Sequence, residues 1–218
     1  MPAGEVETAH RPESFRGSGL IKLDSVIDPL DLDKIFGRNA PLQVDLGCGD
    51  GSFICELAER MPERNFLGIE RLIGRIRSAE RKAATVCNVR LLRMESSYAV
   101  RYLLSAGSVE TFYLLFPDPW PKRRHWRRRI VTGEFLRAIS DALAENGRLL
   151  IATDHLDYFE KIKGIARSNP DFTIADPLLA TSVGAALNDL PPTKFWQQFR
   201  AQGAVIYRLE LRKVSPVR

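Results

Sequence analysis

From Pro41 onward the chain alternates short, nearly continuous apolar runs with longer segments whose apolar residues recur at helical spacing. A run such as Thr111-Phe112-Tyr113-Leu114-Leu115-Phe116 has no solvent-facing side, so as a strand it must be covered on both faces, as at the centre of a parallel sheet flanked by helices. Repeated strand and helix units of this kind predict an α/β fold. The expected parallel strands are Leu42–Leu46, Phe66–Ile69, Val89–Leu92, Thr111–Phe116 and Leu149–Ala152. Ser52 is expected to cap a helix that carries Phe53, Ile54, Leu57, Ala58 and Met61 and stops near Pro62. Helical spacing continues over Arg71–Ala84, Ala99–Leu104, Phe135–Leu143 and Tyr158–Ala166, with Asn146-Gly147 ending the third of these. Near the C-terminus Val205, Tyr207, Leu209 and Leu211 alternate with period two, which predicts a late antiparallel edge or hairpin strand. Met1–Gly19 has Val6 and Phe15 as its scattered large apolar residues and reads as a flexible N-terminal arm, ahead of a single domain over residues 20–218.

Charge is unevenly spread. Lys122, Arg123, Arg124, Arg127, Arg128 and Arg129 supply six of the 32 basic residues, and the other 26 are matched by 27 acidic ones, so the net charge of +5 reflects one patch. A concentrated patch on a balanced protein points to local contact with a polyanion. Cys48, Cys55 and Cys87 lack the close spacing of zinc or redox pairs, and no apolar run is long enough to cross a bilayer. The expectation is a soluble, cytoplasmic protein that needs no metal, membrane or obligatory protein partner.

Asp45-Leu46-Gly47-Cys48-Gly49-Asp50-Gly51 follows the first strand and opens a helix, which is the position of a nucleotide-type cofactor turn. Its third glycine falls one residue early for the dinucleotide pattern, and Asp45 would repel a pyrophosphate, so an NAD-dependent dehydrogenase is disfavoured. Glu70 ends the second strand, where a carboxylate accepts ribose hydroxyl protons; taken alone it equally suits a helix start. Together these residues resemble the first two motifs of class I S-adenosylmethionine-dependent methyltransferases. That resemblance implies a Rossmann-like domain: a mostly parallel seven-stranded sheet, helices on both faces and an antiparallel C-terminal strand.

Phe116-Pro117-Asp118-Pro119-Trp120-Pro121-Lys122, followed by Arg123-Arg124-His125-Trp126-Arg127-Arg128-Arg129, is more specific. It resembles the bacterial tRNA (guanine-N7-)-methyltransferase family, as do Thr153-Asp154 and Pro192-Thr193-Lys194-Phe195, the last set expected in a loop. The resemblance runs from about Leu42 to Leu211. Where the family usually has Glu this chain has Asp45, where it has Asp this chain has Glu95, and after Phe195 a family Glu and a basic residue are replaced by Trp196 and Gln198. The last two changes remove charge from the substrate side.

The prolines around Asp118 restrict the backbone and present its carboxylate rigidly, and the basic run with Trp120, His125 and Trp126 offers phosphate partners and stacking faces. Guanine N7 is a neutral lone pair, so its methylation needs alignment and charge compensation without a strong base. The resemblance thus implies Asp118 as the catalytic residue and a cofactor set of Asp45, Gly47, Gly49, Glu70, Glu95 and Asp118 for S-adenosylmethionine. It assigns Lys122, Asp154, Thr193, Lys194, Phe195 and Trp196 to a tRNA substrate, with the target a variable-loop guanine at position 46. Asp154 either bonds a guanine edge or caps the following helix. The rival reading is a noncatalytic RNA-binding subunit on a methyltransferase fold, against which Asp45, Glu70 and Asp118 all argue.

Overall fold

A computed structural model describes residues 19–175 and 190–214. The chain runs α1 (Leu32–Phe36), β1 (Leu42–Leu46), α2 (Ser52–Arg60), β2 (Asn65–Ile69), α3 (Ile73–Ala83), β3 (Val89–Leu92), α4 (Ser96–Tyr98, continued by a π-turn to Leu103) and β4 (Val109–Leu115). After a 3₁₀-helix over Arg123–Arg128 come α5 (Gly133–Ala142), β5 (Leu143–Thr153), α6 (Leu156–Arg167), β6 (Phe172–Ile174), α7 (Lys194–Ala201) and β7 (Tyr207–Lys213). The seven strands are ordered β3-β2-β1-β4-β5-β7-β6, the first five parallel and β7 antiparallel to both its neighbours, β5 and β6.

Period-two side-chain alternation divides the core between the two faces. Phe66, Leu91, Tyr113 and Leu150 pack with Phe53, Ile54 and Leu57 of α2 and Ile76 and Ala79 of α3. Val44, Leu67, Ile69, Phe112, Leu114, Leu149 and Ile151 pack with Val100 and Leu103, with Leu136 and Ile139 of α5, and with Phe159 and Ile162 of α6. The sheet reverses direction of growth between β1 and β4, and the crevice outside the carboxyl ends of those two strands is where such a fold receives a ligand.

Several local expectations are corrected. Ser52 is not the helix cap: Gly51 holds that position at φ 76°, and Ser52 is the first helical residue, its N–H donating to Asp50 Oδ1 at 3.2 Å. A Cβ at Gly51 would lie 2.8 Å from that of Ala79, so close α2–α3 packing dictates the glycine. Asn146-Gly147 does not end α5. That helix stops at Ala142 because Leu143 is fully buried and pairs with Val109, and pairing resumes at Arg148 with Thr111; Asn146, at φ 59°, turns the bulge between them. β7 lies between β5 and β6, so the edge belongs to the three-residue β6, too short to show a period; Val205 lies outside the strand and is exposed. Of the N-terminal arm, residues 1–18 lie outside the described residues, while Gly19 accepts the Leu91 N–H at 2.8 Å and is tied to the sheet. Among the described residues no helix is long and apolar enough to cross a membrane.

Candidate active site

The carboxyl ends of the first four strands converge on one cavity of about 520 Å³. Leu46 and Gly47 enter it from β1, Glu70 from the end of β2, Glu95 from beyond β3, and Leu114 to Asp118 from β4; Leu72, Trp120 and Arg128 complete the parts used below. Gly47 adopts φ 84°, and a Cβ there would meet no atom within 4 Å, so the glycine leaves open space at the cavity wall.

Glu70 is buried, its Oε1 accepts the Leu72 N–H at 2.8 Å, and Arg75 Nη1 stands 3.9 Å from Oε2. Glu95 caps α4, accepting from the Ser97 and Tyr98 N–H groups at 3.1 and 2.8 Å, which orients its carboxylate at the cavity rim. Asp45 and Gly49 are not among the lining residues. Asp45 sits behind the wall at 4% exposure, and burial, followed by the Glu70 charge, pushes its carboxyl up to about 8. Gly49 supports the turn at φ 57°.

Asp118 is exposed to the cavity between two residues in the left-handed region, Phe116 at φ 54° and Trp120 at φ 42°. Neither is glycine, and bulky side chains adopt this backbone only where surrounding contacts hold it. For Phe116 those contacts come from α7: its ring lies 6.4 Å from Phe195, 6.3 Å from Trp196 and 5.4 Å from Phe199.

The expected loop at Pro192–Phe195 is therefore the start of a helix, which Thr193 caps by accepting the Trp196 N–H at 3.0 Å. Lys194 reaches back to the glycine turn, where its Nζ lies 2.5 Å from Asp50 Oδ2; Lys82 Nζ lies 2.6 Å from the same oxygen. Partial burial opposes ionisation of Asp50, but hydrogen bonds from Lys194 and Lys82 win and hold it well below the usual carboxylate range. Phe195 is exposed, whereas Trp196 is buried with the Arg208 guanidinium 3.9 Å above its ring, so the Trp196 side chain serves packing.

Lys122 is exposed and stands just before the 3₁₀-helix, outside the cavity lining. Asp154 follows β5 and does not cap α6: His155 does, its Nδ1 accepting the Tyr158 N–H at 3.2 Å. Among the stacking faces, Trp120 takes Arg128 at 4.9 Å and the edge of His125 at 5.7 Å, while Trp126 is 42% exposed. Arg129 faces inward and is buried. Motif reading missed the positive φ of Phe116, because nothing in a Phe-Pro pair signals it, and the Asp50–Lys194 contact, which joins residues far apart in the chain.

A family model described as “Putative methyltransferase” matches residues 39–209. A tRNA (guanine-N(7)-)-methyltransferase of Leifsonia xyli subsp. xyli is 39% identical over 191 residues, covering 84% of this chain and 81% of its own. Its counterpart in Syntrophotalea carbinolica is 31% identical, with 88% and 83% covered. The chain belongs to the tRNA (guanine-N7)-methyltransferase family. Among solved structures, an antibiotic-related methyltransferase matches this family member with a TM-score of 0.59 at 18% identity, over 90% of this chain and 98% of that one. The 16S rRNA methyltransferase KamB gives 0.59 at 17%, over 87% and 95%. Those likenesses are of fold, and they establish the class I methyltransferase architecture of this enzyme.

Proposed function

We propose that the protein transfers a methyl group from S-adenosylmethionine to N7 of a tRNA guanine, the variable-loop guanine at position 46, and that residues 20–218 act as one catalytic domain. The observation that carries the reading is that Asp118, Trp120 and Arg128 share a single cavity with Glu70 and Glu95. Its volume is within the range of roughly 300–1,000 Å³ usual for small-molecule sites. The donor set fits an adenosyl sulfonium: the carboxylates of Glu70 and Glu95 line the cavity, the lysines at the glycine turn, Lys82 and Lys194, are paired with Asp50, and Gly47 leaves room at the wall.

When bound, the cofactor supplies an electrophilic methyl carried on a sulfonium. Glu70 would accept from the ribose hydroxyls and Glu95 from the adenine amino group, each using carboxylate capacity left beyond its backbone bonds. Asp45 and Gly49 act from behind the wall by shaping the turn. Asp118 holds the guanine and offsets the positive charge that develops on its ring; the protein removes no proton beforehand. On the RNA side, Lys122 meets a phosphate, exposed Phe195 offers a stacking face, and Asp154, which follows the carboxyl end of β5, bonds a base edge. Thr193, Lys194 and Trp196 serve by holding α7 against the glycine turn and Phe116.

The test is incubation with labelled S-adenosylmethionine and unmodified tRNA, followed by mapping of the modified base. Label at N7 of the variable-loop guanine is the expected result. Label at another base would overturn the position, and labelled cofactor bound without transfer would favour the RNA-binding subunit.

A further inference from the structure

Within the basic run that follows Asp118, one cation is turned inward. Lys122, Arg123, Arg124, Arg127 and Arg128 are exposed, whereas Arg129 is only 7% exposed. Its Nε donates to the Pro119 carbonyl at 2.7 Å. Its guanidinium lies 4.6 Å from the ring centre of Tyr158 on α6 and 4.9 Å from that of Trp126. Its Nη2 is buried with no hydrogen-bond partner among the described residues. Burial of a guanidinium with incomplete hydrogen bonding is unfavourable unless other contacts offset it, and two aromatic faces do so in part. A cation held in this way does not reach a phosphate in solvent.

We propose that Arg129 is a positioning residue for methyl transfer: it ties the Pro119 carbonyl to α6 and so fixes Asp118 at the cavity, while its exposed neighbours meet the RNA. The inference rests on the reading that Asp118 serves the reacting guanine. Its physical basis is the backbone around Asp118. Phe116 and Trp120 both occupy the left-handed region, and such a segment stays put only when external contacts hold it. Phe116 is held by α7; toward Trp120, the bond to Pro119 is the tie from Arg129. Lysine substitutes only in part, because one ammonium lacks the planar fork that donates to a carbonyl while stacking between two rings.

The experiment compares Arg129→Lys and Arg129→Met with wild type and with Arg127→Gln, a substitution of an exposed cation. Three quantities are read: the single-turnover rate at saturating S-adenosylmethionine and tRNA, the dependence of tRNA affinity on salt, and amide hydrogen exchange at Asp118 and Trp120. For Arg129→Lys the expected result is a rate reduced tenfold or more and loop exchange accelerated tenfold or more, with wild-type tRNA affinity and salt dependence. Arg129→Met should be slower still, so that lysine gives partial rescue. A flattened salt slope like that of Arg127→Gln, with rate and exchange unchanged, would make Arg129 a phosphate contact and overturn the inference. Wild-type loop exchange in Arg129→Lys would overturn it as well. If Arg129→Met does not fold, the lysine variant decides. Should the wild-type protein methylate a different base, the functional reading fails on that measurement, while loop exchange still decides whether Arg129 anchors Asp118.

Discussion

Asp45 and Asp118 stand at the ends of neighbouring strands in different surroundings, one buried behind the cavity wall and one open to the cavity. Burial and Glu70 raise the Asp45 carboxyl to about 8, so the native state retains a proton that the unfolded chain has released. The resulting stability is fully present below the unfolded value, near pH 4, and is lost as the pH rises through 8, at up to about 1.4 kcal/mol per pH unit. Asp45→Asn has no such slope. Relative to wild type it should gain on the order of a few kcal/mol between pH 4 and 8, measured by denaturant unfolding across that range; parallel curves would mean that Asp45 ionises freely. At Asp118 the expected effect is on rate. Asp118→Asn keeps the shape and loses the charge, and should slow single-turnover methyl transfer about a hundredfold or more with cofactor affinity nearly intact. A rate within a few-fold of wild type would reduce Asp118 to a turn residue.

At the scale of elements, the glycine turn joins β1 to α2 and meets α3 and α7 as well. Gly51 allows α2 to approach Ala79 of α3, and Asp50 receives Lys82 from α3 and Lys194 from α7. Gly51→Ala would combine φ 76° with a Cβ contact of 2.8 Å on packed side chain and backbone, and is expected to destabilise by about 1–3 kcal/mol. Gly49→Ala meets nothing within 4 Å and should cost only the left-handed strain, about 1 kcal/mol. Denaturant midpoints, at constant slope, measure both; equal losses would mean that α2 and α3 separate without penalty. The π-turn over Ala99–Leu103 buries Ala99, Val100 and Leu103.

Over the whole molecule, the excess charge lies beside the cavity, but five cations of the run face solvent and Arg129 does not. tRNA affinity should fall steeply with salt, and Arg127→Gln should flatten the logarithmic slope by roughly 0.7–0.9 if that side chain meets one phosphate. An unchanged slope would leave Arg127 as a solvated surface charge. The parallel strands, the glycine turn and the carboxylates at strand ends were all legible in the sequence, because each depends on a few consecutive residues: an apolar run, a tight turn, an acid next to it. Motif order likewise carried the family. The sequence could not show that Asn146-Gly147 bulges a strand, that Phe195 and Trp196 begin a helix against Phe116, or that Asp45 lies behind the wall and Arg129 beneath the loop. Those outcomes were decided by the tertiary structure, because each is set by what packs against the residue from a distant part of the chain: Val109 against Leu143, α7 against β4, Glu70 beside Asp45, and Tyr158 against Arg129.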